Sequence, residues 1–320
     1  MRLRLFGGLS LSALVAFTWL TSASPAVGAQ QHIKRSKIFV YNINTKSAKI
    51  IYQADGVVEA PNWSPDGKYL LANTGGNLYK LPLHGMNAST PVKINLGTLT
   101  KCNNDKSISP DGKLIAFSSS GRAKGSQVYT VSSDGGDPKL MVPETPSYFH
   151  GFSPDGRWLA VVAKRNGNFD LFRLPANGGP QQQLTTNPGY DDGPDYSPDG
   201  KWIYFNSDRS GGWRIWRMPA DGAGPNDKYA QQVTNGEYED WFPHCSPNGK
   251  WLVFISFPKG TATHNDRMPG VMLRMIPLPG KKIRNAPIQT LETFFGGQGS
   301  INVNSWSPDS TQFAYVTYEE

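Results

Sequence analysis

The chain has 320 residues, with 34 Gly, 25 Pro, 12% aromatic and only 18% charged residues. Punctuation this dense and regular excludes both disorder and long helices, and leaves an all-β protein with many turns. The formal charge of +7 is carried by scattered Lys and Arg, with no basic run beyond Lys281-Lys282, so a nucleic-acid role, which needs a concentrated patch, is set aside.

The chain opens on the short basic start Met1-Arg2-Leu3-Arg4, followed by an apolar run over 5–20 and the small-residue stretch Ser24-Pro25-Ala26-Val27-Gly28-Ala29. That is the order of a secretory signal peptide, with cleavage expected after Ala29. The apolar run of about 16 residues is short for a spanning helix. No Cys stands at the processing site, and no later segment is apolar enough to cross a bilayer. The expectation is a signal peptide over 1–29 and a single domain over 30–320, periplasmic or secreted, monomeric, with no membrane span after cleavage. Cys102 and Cys245 are the only cysteines. An oxidising compartment permits a bridge, but they occupy non-equivalent places in different repeats and are expected to be free, buried thiols.

Next along the chain come a strand, Ile38-Phe39-Val40-Tyr41, a turn, and a second strand ending in Ile50-Ile51-Tyr52. Then a tetrapeptide begins to recur. Ser64-Pro65-Asp66-Gly67 returns as Ser109-Pro110-Asp111-Gly112, Ser153-Pro154-Asp155-Gly156 and Ser197-Pro198-Asp199-Gly200, with variants Ser246-Pro247-Asn248-Gly249 and Ser307-Pro308-Asp309-Ser310. The spacings are 45, 44, 44, 49 and 61 residues. A period in the forties with short strands fits a propeller blade. Each tetrapeptide reads as a tight turn in which Pro presets φ, Asp bonds nearby amides and Gly accepts a positive φ. An apolar strand follows, such as Trp202-Ile203-Tyr204-Phe205, then an alternating one, such as Trp213-Arg214-Ile215-Trp216-Arg217-Met218, then a short fourth. After the sixth tetrapeptide only two strands are expected to remain, ending at Phe313-Ala314-Tyr315-Val316. The last blade is therefore expected to combine the C-terminal strands with the N-terminal pair, giving six four-stranded antiparallel blades and no exposed edge.

The run Ser-Pro-Asp-Gly-Lys, the apolar strand after it and the later Asp-Gly turn resemble the TolB-like propeller repeat, also called PD40 or WD40-like, over residues 38–320. The resemblance implies a six-bladed β-propeller. The family includes the periplasmic protein TolB, propeller domains of prolyl-oligopeptidase-type enzymes and some polysaccharide lyases, so the resemblance is specific for fold and weak for function. The sequence shows neither the α/β domain that TolB carries ahead of its propeller nor a hydrolase domain after the repeats. Those departures point away from a Tol-system role and from a serine peptidase.

With strands numbered outward from the centre, the tetrapeptides share one face with the turns between third and fourth strands. The remaining loops gather on the opposite face, around the channel mouth, where a rigid scaffold presents variable groups. That face is expected to collect Glu59, Asp105, His150, Asp191, Asp192, Asp195, Glu239, Asp240 and His244, with Arg209, His264, Asp266 and Arg267 from loops and Tyr148, Tyr190, Tyr238 and Trp241 among them. The ligand-binding candidates are His150, Asp192, Asp195, Arg209, Asp240, Trp241, His244, His264, Asp266 and Arg267, since acids, histidines and aromatics around a concave mouth suit a sugar or a peptide. A polar, water-filled channel also carries inward acids and histidines with no ligand. The longest insertion, 257–270 in the fifth blade, reads as a functional loop, and His264 within it is expected to support little core.

His150, His244 and His264 could converge with an acid on a divalent metal, but no short histidine spacing supports this and no cofactor is expected. There is no G-x-S-x-G elbow, H-E-x-x-H or phosphate loop. Asn87-Ala88-Ser89 is a glycosylation acceptor in a eukaryotic host only. The expected function is a non-catalytic extracytoplasmic propeller binding a protein or glycan ligand at the channel mouth. The alternative is a carbohydrate-active lyase or hydrolase on an acidic glycan, with His150, His244 or Tyr190 as base and Arg209 or Arg267 neutralising a carboxylate.

Overall fold

The computed structural model describes residues 33–86, 88–278 and 286–320. The expected signal peptide and its cleavage site, Asn87 and the Lys281-Lys282 pair lie outside the described residues.

A first hairpin, β1 (Arg35–Asn42) and β2 (Ser47–Asp55), precedes the first complete blade, β3 (Glu59–Trp63), β4 (Tyr69–Thr74), β5 (Asn77–Pro82) and β6 (Val92–Lys93). The second blade is β7 (Cys102–Ile108), β8 (Leu114–Ser119), β9 (Gln127–Ser132) and β10 (Lys139–Val142). The third is β11 (Ser147–Phe152), β12 (Trp158–Arg165), β13 (Asn168–Pro175) and β14 (Gln182–Gln183). The fourth is β15 (Asp191–Tyr196), β16 (Trp202–Ser207), β17 (Arg214–Pro219) and β18 (Gln231–Gln232). The fifth is β19 (Glu239–Cys245), β20 (Trp251–Phe257), β21 (Met268–Pro277) and β22 (Gln289–Gly296), and β23 (Gln312–Glu319) serves the sixth. Each complete blade is an antiparallel sheet in sequence order. The fold is an all-β, six-bladed propeller.

The sixth blade closes the ring from both ends of the described chain. β1 lies between β2 and β23, with Ile38 opposite Val316 and Phe39 opposite Tyr315. Lys34 N–H donates to the Glu319 carbonyl at 2.8 Å. The innermost position is less regular than the repeat suggests. A 3-10 turn at Gln298–Ser300 takes part of its length, and only a bridge between Trp306 and Phe313 remains, held by the Ser305 hydroxyl donating to the Ala314 carbonyl at 2.6 Å.

The tetrapeptide turns show why the repeat has that sequence. In each copy the Ser hydroxyl donates to the side chain two residues on, at 2.6 Å in Ser153–Asp155 and 2.8 Å in Ser246–Asn248. The same oxygen accepts the N–H that starts the next strand, from Tyr69, Leu114, Trp158, Trp202, Trp251 and Gln312. The fourth position needs a left-handed backbone: Gly67 has φ +75° and the variant Ser310 has +62°.

The inner strands carry the feature that positions the site. β3, β7, β11, β15 and β19 each break register a few residues before the tetrapeptide, for example between Asp192 and Asp195 and between Trp241 and His244. In three blades the bulge has a left-handed residue followed by Pro: Ala60 (φ 50°), Gly193 (62°) and Phe242 (52°). A bulge re-aims the side chains around it, so neighbours in sequence part ways. Apolar layers between blades form the core, one of which stacks Trp213, Trp241, Phe242, Ile255 and Phe257. Cys102 and Cys245 are free and buried. No helix among the described residues is long and apolar enough to cross a membrane.

Candidate functional site

On the face opposite the tetrapeptides a cavity of about 430 Å³ opens over the channel, lined by Asp105, Tyr148, His150, Phe169, Tyr190, Asp192 and His264, with amides from Asn103, Asn104, Asn265 and Gln298. Its floor is a buried charged cluster. His150 Nε2 lies 3.2 Å from Asp192 Oδ1 and 3.9 Å from Asp105 Oδ1, and His264 Nε2 lies 3.7 Å from Asp192 Oδ2. Asp192 Oδ1 also accepts the Gly193 N–H at 2.7 Å, and Asp105 Oδ1 accepts the Asn302 amide at 2.7 Å.

The electrostatics follow from this crowding. Burial alone would lower His150, but the hydrogen bond to Asp192 and the charges of Asp105, Asp192 and Asp195 together raise it. Burial opposes ionisation of Asp192 as well, yet His150 and His264 hold it below its ordinary range. Burial pushes Asp105 up, against the pull of His150 and Asn302. Burial pulls His264 down, with Asp192 opposing and His150 adding to the fall. The cluster thus favours a charged His150–Asp192 pair beside a neutral His264 and a carboxyl at Asp105 that ionises late.

One wall is aromatic. Phe169 stacks on Tyr190 with centroids 4.7 Å apart, Tyr148 tilts against Phe169 at 6.4 Å, and Tyr190 meets the edge of Trp213 at 5.2 Å. His264 does not behave as a bare loop residue. It is buried, sits 4.3 Å from the fully buried Trp241 ring and meets Phe242 edge-on at 5.3 Å. The expectation that it supports little core is corrected: the loop folds inward and lays the imidazole on the fifth blade's aromatic layer. The loop is also shorter than the sequence suggests, because β21 already begins at Met268.

The other candidates go elsewhere. Asp195 faces the channel below, where its Oδ2 accepts the Cys245 N–H at 3.2 Å and the Asn304 amide at 3.0 Å. His244 faces the same carboxylate at 3.5 Å, and its Nε2 donates to the Ile301 carbonyl at 3.1 Å. Arg209 is held between Asp191 at 2.7 Å and Asp227 at 3.0 Å. Asp240 accepts the Ser256 hydroxyl at 2.6 Å and faces Arg274 at 3.4 Å, and burial pushes it up to about 6. Glu239 accepts the Trp213 and Gly260 N–H groups at 2.7 and 3.1 Å. Arg267 pairs with Glu59 and stacks over Tyr318 at 4.7 Å, while Asp266 and Tyr238 are exposed. Of the three histidines, His150 and His264 share Asp192 and His244 stands apart. Among the described residues no group of three or more His, Cys, Asp or Glu side chains is arranged to hold a metal ion.

Sequence reasoning did not single out Phe169, Asn302 or Lys106. Phe169 begins a strand that reads as plain alternation. Lys106 is fully buried, donating to the Ala60 carbonyl at 2.8 Å and to Asn73 Oδ1 at 2.7 Å. A Lys inside an inner strand, where the other repeats place Pro61, His150, Pro194, Pro243 and Asn304, is the one signal the sequence offers.

Two other cavities contrast with this one. A larger one, about 720 Å³, lies between the sixth and first blades on the tetrapeptide face, lined by turn residues such as Asp66, Gly67, Pro308 and Asp309 with His84 and Lys49. Size favours it, but it has no buried charged group, and the smaller cavity is the better site on chemistry. The third, about 360 Å³, is a funnel at the tetrapeptide end of the channel, ringed by Pro65, Pro110, Pro154, Pro198, Pro247 and Pro308. His150 lines both it and the upper cavity.

The profile of the TolB β-propeller domain, PD40, matches residues 146–269. The uncharacterized protein Atu1656 of Agrobacterium fabrum (strain C58) is 43% identical over 284 residues, which is 89% of this chain and 92% of that protein. A solved structure from Agrobacterium tumefaciens, provisionally described as TolB, superposes with a TM-score of 0.83 at 43% identity, covering 89% of this chain and 99% of that one. TolB of Acinetobacter baumannii gives 0.61 at 18% identity, covering 82% of this chain and 64% of that one, a likeness of fold alone. With repeats, closure and a close relative in agreement over nine-tenths of its length, this chain belongs to the TolB-like (PD40) β-propeller family.

Proposed function

We propose that this protein is an extracytoplasmic binding propeller, exported on residues 1–29, that acts as a monomer and takes a group of a protein or glycan ligand into the cavity above His150 and Asp192. The observation that carries this reading is the pairing of an aromatic wall, Tyr148, Phe169 and Tyr190, with a buried charged floor, Asp105, His150, Asp192 and His264. Aromatic faces take the apolar face of a sugar or a side chain, and fixed polar groups set its orientation. The amides of Asn103, Asn104, Asn265 and Gln298 at the rim add neutral donors and acceptors. No cofactor is needed for this.

The rival reading, an enzyme on acidic glycans, asks for an arginine or a metal to neutralise a carboxylate. Arg209 is engaged by two aspartates and Arg267 by Glu59, which favours binding over that chemistry. The test is a glycan array and a peptide library screened with the exported protein, followed by calorimetry on Tyr148→Ala and His264→Gln. Both variants should lose about tenfold or more in affinity. Tyr148→Ala should melt near wild type, whereas His264→Gln, which also strips an imidazole from the fifth blade's aromatic layer, should melt lower while staying folded. Binding unchanged in both removes the cavity from consideration. An intact mass that starts at Met1 on exported protein rejects the signal peptide.

A further inference from the structure

We infer that this cavity is built for a positively charged nitrogen, an alkylammonium group presented by the ligand. The inference rests on the binding reading above and sharpens it. Its first support is a contrast of sign. The chain holds 32 Lys and Arg against 25 acids, yet neither Lys nor Arg lines this cavity, while Asp105 and Asp192 do. His150 is the single cationic partner at the floor, and it is closest to Asp192. Asp105 is left with the neutral Asn302 amide at 2.7 Å and the imidazole edge at 3.9 Å. Once Asp105 ionises, the floor has one carboxylate more than the cations that line it, so an entering cation supplies the counter-charge a buried carboxylate calls for and favours that ionisation.

The wall is the second, independent support. Tyr148 and Tyr190 line the cavity beside the two carboxylates, with the Phe169 ring packed against both. Aromatic faces beside carboxylates are the usual recognition surface for ammonium groups, because the ring quadrupole and the anion act in the same direction. The wall already attracts one cation from outside: the exposed Lys164 places its Nζ 5.6 Å from the Phe169 ring centre. Negative charge from Asp105 and Asp192 also disfavours ionisation of both tyrosines, after the larger effect of burial, which is the field a cation would meet. A volume of about 430 Å³ admits one side chain or one sugar unit, not a folded segment.

An ammonium group can arrive on a lysine side chain or on an amino sugar, and the experiment separates them. Nα-acetyl-lysine amide and glucosamine are titrated beside their neutral counterparts, Nα-acetyl-norleucine amide and N-acetylglucosamine, with glucuronate as the anionic probe. Heteronuclear NMR of the intact protein follows the Tyr148 and Tyr190 signals. One of the two amines should bind about tenfold or more tightly than its neutral counterpart, and glucuronate should bind worst. Which amine prevails names the source. Asp105→Asn, which keeps shape and the Asn302 bond, should abolish the preference for charge without abolishing binding of the neutral probe. Neutral probes binding as well as amines, or glucuronate binding best, overturns the inference and leaves the cavity a binding site. If no probe of any charge shifts those signals at millimolar concentration, both the inference and the binding reading fall.

Discussion

Asp195 reaches out of the fourth blade to accept the backbone N–H of Cys245 in the fifth, at 3.2 Å. Asn62 makes the same tie from the first blade to Ile108 of the second, at 3.0 Å. Both stand two residues before the tetrapeptide Ser, and each receives the N–H of the residue just before the next one. Ser118 and Asn206 add ties one strand further out, accepting from Phe149 at 2.7 Å and from Phe242 at 3.0 Å. Neighbouring blades are joined by buried, directional bonds as well as by apolar layers.

Asp195→Ala should therefore act on stability. It strands the buried Cys245 N–H and takes one of two acceptors from the Asn304 amide, which keeps the Cys245 carbonyl, at a cost of about 2 kcal/mol. Thermal melting should show the loss, and Asp195→Asn should recover much of it. A variant that melts normally and binds poorly would move Asp195 from the channel wall to the ligand site.

Arg267 is a strap. It leaves the fifth blade, pairs with Glu59 of the first and covers Tyr318 of the sixth. Arg267→Ala should cost roughly 1–3 kcal/mol, since it uncovers a half-buried carboxylate and removes packing from a tyrosine. Glu59→Gln together with Arg267→Met should cost less than the two single changes combined, which a double-mutant cycle in denaturant measures. Strict additivity would mean that the pair is not coupled.

Deleting 33–55 should unfold the ring cooperatively. The deletion removes β1 and β2, exposes the edge of β23 and opens the contact between the sixth and first blades. A truncated protein melting within a few degrees of the parent would contradict ring closure as the source of stability.

The repeat made the blades legible because each turn needs its own residues: hydroxyl, Pro, carboxylate and a left-handed Gly. The site was legible only in part. Asp191, Asp192 and Asp195 look like one acidic group in the sequence. The bulge at Gly193 sends them to three places: a buried ion pair with Arg209, the cavity floor, and the channel tie to Cys245. His150 and His244 look equivalent too, but His150 stands three residues before its tetrapeptide, inside the bulge, and His244 two residues before its own, just past the bulge. Alternation cannot be counted through a bulge whose place the sequence does not mark. The two arginines offered as anion binders are committed to carboxylates, Arg209 to Asp191 and Asp227 18 positions to either side and Arg267 to Glu59 208 positions away, pairings that no strand periodicity reveals.

Lys106 should leave a signature in pH. Burial lowers its pKa from the ordinary 10.5 to about 7, with Glu59 and Asp105 opposing the fall. Between these values the unfolded chain holds a proton that the folded protein lacks, so stability rises with pH across that window, and the full burden is felt below pH 7. From pH 7 to pH 9 the wild type should gain on the order of 2 kcal/mol relative to Lys106→Met. Parallel stability curves for the two proteins over that range would show that the ammonium stays charged in its niche.

The closure of the sixth blade also sets an order of events during synthesis. Lys37 and Glu319, paired across β1 and β23, are 282 positions apart, so β1 and β2 emerge well before their partner and wait through synthesis of all five blades between them. Until β23 appears the inner edge of β1 stays unpaired, a state prone to join a strand of another molecule. Completion of the ring is thus tied to arrival of β23, and a chain arrested short of it leaves an adhesive product that quality control can recognise.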